Sequence, residues 1–140
     1  MIVDDVLAIL QIDTTLLALL PGGMYGQTEI TRQRTPEVFD VNAELKPCLL
    51  VNLETETQYG PFNESSATSS RAFLQIFFYQ RVGYDAIHVA RERVFSLLHD
   101  QKIGSGTWSV SWVNDIPNLH EPALDCDMAT SRYQVVRRKA

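Results

Sequence analysis

The side chains of this 140-residue chain that could do chemistry gather mainly in one place. His120, Glu121, Asp125, Cys126 and Asp127 put an imidazole, carboxylates and a thiol into one short stretch. Groups of these types hold zinc or calcium when their spacing lets them converge on one point. Here the spacing matches no zinc motif and no calcium loop, and Pro117 and Pro122 mark the stretch as a rigid surface loop over 114–125. The two cysteines, Cys48 and Cys126, fit neither a zinc site nor a disulfide framework, and read as reduced thiols. No serine lies in a Gly-x-Ser-x-Gly elbow, and neither cysteine has an active-site context. Gly104-Ser105-Gly106 is too short to cradle a phosphate and stands where a turn is needed. His88 and His99 fall on or beside a long helix, solvated or satisfied locally. The residues therefore predict no catalytic set, no metal and no cofactor. Arg137-Arg138-Lys139 reads as a solvated basic tail that could touch nucleic acid or an acidic partner.

Composition sets further bounds. The length suits one domain, 1–140, which can bury about two-thirds of its unfolded surface. The hydrophobic fraction is 45% and the charged fraction 21%, ordinary values for a folded chain. A net charge of −5 argues against a general nucleic-acid binder, which carries a basic excess. No apolar run reaches membrane-spanning length. The segment MIVDDVLAILQ has acidic residues where a secretory leader has basic ones, so the protein is expected in a cytoplasm or a particle assembled there. The sequon Asn63-Glu64-Ser65 is then incidental.

The elements that must position any site follow from periodicity. Ile2 to Leu20 reads as helix with a break, Asp13 capping the second segment, and Pro21-Gly22-Gly23 ending it. Cys48–Glu54 alternates as a strand, and Ala72–Tyr79 is a strand apolar on both faces. Asp85 is placed as N-cap of a helix of about 16 residues with Ile87, Ala90, Val94, Leu97 and Leu98 on one stripe. Gly104 and Gly106 turn the chain into a strand over Thr107–Val113, and Asp127–Arg138 is the last strand. Two irregular arms remain, 27–46 and 55–70, the first anchored by Val38, Phe39 and Val41, the second a hairpin arm carrying Tyr59 and Phe62. The sum is an α+β fold. Two main helices cover one face of a mostly antiparallel sheet of four to five strands with long interstrand loops.

Sorting the strands by face isolates a patch. Leu49, Val51, Leu53, Leu74, Ile76, Phe78, Trp108, Val110 and Trp112 share the helix-covered face. The opposite face shows Asn52, Ser109, Ser111, Arg132 and Gln134, with Leu50, Phe73, Phe77 and Tyr79 as an apolar island. Exposed apolar islands mark interaction surfaces, and this one is expected to meet another subunit.

The layout as a whole resembles the tail-completion, or tail terminator, proteins of long-tailed bacteriophages. The likeness is carried by a helix ending in LLALLPGGMYG, by KPCLLVNLE, by RAFLQIFFYQRVGYDAIHVARERVFSLLHDQ and by the closing strand SRYQVVRRK. It spans nearly the whole chain, and rests on hydrophobic spacing rather than an invariant motif. The arm 55–70 is longer than the family's usual form. The resemblance implies a non-enzymatic virion protein at the tail–head junction, assembled in the bacterial host cytoplasm. Its subunits form a ring, typically a hexamer, that ends the tail tube, meets the major tail tube protein and the head–neck connector, and lets DNA pass without specific binding; no membrane is involved. Head-to-tail contacts in a ring require two different surfaces per subunit. The candidates are Phe73, Phe77, Tyr79 and Leu50 on the sheet, Tyr59 and Phe62 on the arm, and Arg32, Arg34, Arg137 and Arg138. Another neck component, such as a head-closure or head–tail joining protein, and a minor tail or baseplate subunit remain open alternatives. A small enzyme built around His120 has the least behind it.

Overall fold

The computed structural model describes residues 2–59, 68–104 and 108–139. Two short helices open the chain, α1 (Ile2–Gln11) and α2 (Thr14–Leu19). The break falls where Asp13 serves as N-cap, its carboxylate accepting the Leu16 N–H at 3.1 Å. The same carboxylate takes two hydrogen bonds from Arg93, at 2.7 and 3.0 Å, which ties α2 to the third helix. The guanidinium beside Asp13 holds its carboxyl below the usual range.

The strands are β1 (Met24–Gly26), β2 (Cys48–Leu53), β3 (Thr57–Tyr59), β4 (Thr68–Gln80), β5 (Gln101–Ile103), β6 (Trp108–Glu121) and β7 (Cys126–Lys139), with α3 (Asp85–Leu98) between β4 and β5. They form one sheet in the order β1-β2-β4-β7-β6-β5, with β3 continuing the β2 side of β4. Among the described residues seven strands replace the expected four to five. Met24–Gly26, open in the sequence as a short early strand, is β1; the additions β3 and β5 are three residues each, too short to show a period. The sheet is mixed, because β1 runs parallel to β2, while the other pairs are antiparallel. Gly26 lets α1 lie close on β1. A Cβ there would come within 2.6 Å of Val3 and 2.7 Å of Leu7.

Three helices, not two, cover one face. Val6, Leu10, Leu16, Leu74, Ile76, Phe78, Ile87, Val94, Leu98, Val110 and Tyr133 are buried there in one core. Trp112, expected among them, is 40% exposed. The β6–β7 register slips just after it, and its ring turns to the edge, where it meets Phe95 edge-on at 6.0 Å.

The stretch expected as a loop over 114–125 is mostly strand, since β6 runs on to Glu121. Pro117 is tolerated because the register shift between Ile116 and Leu119 frees it from the ladder and because β5 pairs only with the start of β6. Along the remaining edge α3 and its two cap residues supply partners. His99 Nδ1 accepts the Trp112 N–H at 3.0 Å, His88 donates to the Pro117 carbonyl at 3.2 Å, and the Tyr84 hydroxyl donates to the Leu119 carbonyl at 2.9 Å. The histidines thus cap a sheet edge.

Two boundary expectations change. Asp85 is the first residue of α3, after an N-cap Tyr84 that makes no side-chain cap bond, and it is Gln80 whose side chain accepts the Ile87 N–H. The helix ends at Leu98, and Asp100, at φ +58°, turns the chain before Gly104 is reached. The basic segment is not a free tail, since β7 pairs with β4 as far as Lys139. The sequon 63–65, Ser105 and Gly106 lie outside the described residues.

Candidate surface cleft and arm

The face of the sheet away from the helices has its own small core at one end. The arm between β1 and β2 lies across it. A turn from Thr31 to Thr35, a 3₁₀ turn at Pro36–Val38 and a bridge between Phe39 and Leu45 give the arm internal structure. Val38 is fully buried and Phe39 partly so, as expected of anchors, but Val41 is wholly exposed. Beneath the arm, Cys48, Leu50, Tyr79 and Cys126 are buried. Half of the expected island is therefore covered by the chain itself, and Leu50 and Tyr79 take a core role not foreseen. Phe77 stays partly buried and stacks on Tyr79 with ring centroids 6.4 Å apart.

The cover is incomplete. Between the arm and the β6–β7 turn opens a cleft of about 840 Å³. Leu50, Asn52, Phe77 and Tyr79 form its sheet floor, Ile30 to Gln33 and Phe39 one wall, and Glu121, Ala123 and Leu124 the other. Arg32 stands at the rim over the Phe39 ring, 5.6 Å from its centroid, and donates to the Ala43 carbonyl at 3.3 Å. Arg34 lines an adjoining hollow with Asn52 and Leu53. The Asn52 carboxamide oxygen is buried and has no hydrogen-bond partner among the described residues.

The other expected interface residues lie elsewhere. Phe73 is on the same sheet face but nearer the start of β4, held between Arg132 at 3.9 Å and Arg71 at 5.4 Å from its ring centroid. Arg132 also pairs with Glu54 at 3.2 Å. Arg137 is on the helix side, donating twice to Glu56 at 2.8 and 3.0 Å and stacking over Trp108 at 4.5 Å. The structure brings together Leu50, Phe77, Tyr79 and Arg32, with Arg34 next to them, and separates Phe73 and Arg137 from that group. Tyr59 and Arg138 are placed by backbone only, each opposite Ser69. Phe62 lies outside the described residues. Asn52 was expected on this sheet face but not as a site residue, and Ala123 and Leu124 were missed.

The groups with chemical potential are committed to structure. Both cysteines are free and buried. Burial pushes the Cys126 thiol up to about 12, and the Cys48 thiol upward as well, so neither is a thiolate at neutral pH. His120 lies 3.5 Å from Asp125 and from Asp127, while Asp127 is also bound to the Gly83 N–H at 2.7 Å. Among the described residues no three such side chains converge as a metal site. No helix among them is long and apolar enough to cross a membrane.

No protein-family model matches the sequence, and no curated protein matches it either. The fold does have solved counterparts. One is a chain of a structure described as the virion of a native gene transfer agent particle. The likeness has a TM-score of 0.68 at 13% sequence identity, and covers 97% of this chain and 93% of the other. At that identity it establishes a shared fold.

Proposed function

We propose that this chain is a non-enzymatic structural protein of a virion, forming a ring that ends a tail tube and joins it to the connector on the head side. The observation that carries this reading is the likeness of fold, over nearly the full length of both chains, to a component of a virion particle. The resemblance of layout and hydrophobic spacing to phage tail terminators points the same way and supplies the finer role. The cleft and the aromatic-bearing arm provide the two unlike surfaces that a head-to-tail ring needs. The net charge of −5 is compatible with passage of DNA, whose phosphates it repels.

Removing the gene from the genome that encodes the chain is the direct test. The expected result is unjoined heads beside tail tubes of uncontrolled length, with joining restored by the protein supplied in trans. Normal tail lengths with unjoined heads would move the protein to the head-closure layer. Intact infectious particles would overturn the reading.

A further inference from the structure

We infer that the occupant of the cleft is the β3–β4 arm of a second copy of this chain, inserted head to tail. The inference rests on the ring reading and specifies its contact. The cleft floor is aromatic and aliphatic, its rim polar, and the Asn52 oxygen within it lacks a donor. A peptide entering there would bring both apolar side chains and backbone N–H groups. The arm sequence supplies such a segment. Residues 55–70 are polar except for Tyr59 and Phe62, which flank Gly60-Pro61.

Geometry excludes the arm of the same copy. The arm springs from the opposite end of β4, where Tyr59 pairs with Ser69, while the cleft is floored by Phe77 and Tyr79. From Thr68 to Phe77 along the strand is about 30 Å at a rise of about 3.3 Å per residue. The segment 60–67 is tethered at both ends to paired strands, so it can reach out only half its extended length, about 14 Å. The arm therefore cannot fill its own cleft, and can fill a neighbour's. Used head to tail, donor and acceptor at opposite ends of one strand give a heterologous contact, the kind that closes into rings. On the long edge of β6, side chains of α3 and of its two caps already occupy the Trp112 N–H and the Pro117 and Leu119 carbonyls.

Two variants that leave the core alone test the contact. In the first, residues 60–67 are replaced by a short Gly-Asn-Gly turn. In the second, Ala123→Arg, an exposed position on the cleft wall, fills the site. Wild-type protein is expected to elute as a ring built from 15.8 kDa subunits and each variant alone as a monomer by light scattering. A mixture of the two is expected to give a dimer, since one partner keeps the cleft and the other the arm. Rings that persist in both variants would overturn this contact while leaving the ring itself standing. A wild-type protein that stays monomeric at hundreds of micromolar would remove the ring reading and this contact together. Far-UV circular dichroism of each variant, expected to match wild type, guards against loss of fold. A variant that fails it is replaced by Phe62→Ser or Ala123→Glu, which must then give the same pattern.

Discussion

On one face of the sheet Leu74, Ile76 and Phe78 meet three helices; on the other, Phe77 and Tyr79 of the same strand meet an irregular arm. On the first face Leu74, Ile76, Phe78 and Tyr133 are fully buried. The second is closed at one end only, and even there a cleft of about 840 Å³ remains. Nearer the start of β4, the partly buried Phe73 carries two guanidinium groups over its ring. One side of the sheet carries the main core. The other is packed under the arm and leaves a cleft open beside it.

Stability should divide along the same line. Phe78→Ala, in the helix-side core, should cost about 3–5 kcal/mol and leave little folded protein at physiological temperature. Leu50→Ala, under the arm, should cost about 2 kcal/mol, because the adjoining cleft lets water and the arm adjust. Urea titration of both variants checks the ratio, and equal losses would mean that the arm is as much a core element as the helices are.

Alkaline pH should probe the arm-side core selectively. Both thiols lie there, and burial raises the folded pKa above the unfolded value, to about 12 for Cys126. The stabilisation from keeping them neutral is complete below the unfolded thiol value of about 8.5 and is lost as pH rises from there toward the folded value. Unfolding free energy should thus fall as pH rises above 8.5, and Cys48→Ala with Cys126→Ala should flatten that slope before the tyrosines begin to titrate. An unchanged slope would show that the thiols are not what is being desolvated. The smallest effect is expected at Phe73. Arg132→Met removes a cation above Phe73 and a half-exposed ion pair with Glu54, and should change stability by only about 0.5–1 kcal/mol.

The helix-side face was legible in the sequence because it is periodic. Alternation in β2, β4 and β7 and the stripe of α3 each assign side chains to it, and Asp13 marks the helix break by its capping chemistry. The arm-side face was only half legible. The island at Leu50, Phe77 and Tyr79 was visible, but a loop without period carries no sign that it folds back over those residues. Trp112 misled for a local reason, since a register slip beyond it breaks the alternation. The strand over 114–121 was hidden by Pro117, whose acceptance depends on an edge closed by side chains far away in sequence. Tertiary contacts of that kind leave no mark on local composition.

The central claim is that this fold is a ring subunit whose incompletely covered face receives a neighbour. Electron microscopy of the purified wild-type protein tests it most directly. The account predicts closed rings whose averaged density has the arm of each subunit crossing onto the arm-side face of the next. Isolated monomers at every concentration, or rings joined through the helix layer with that face left open, would contradict it.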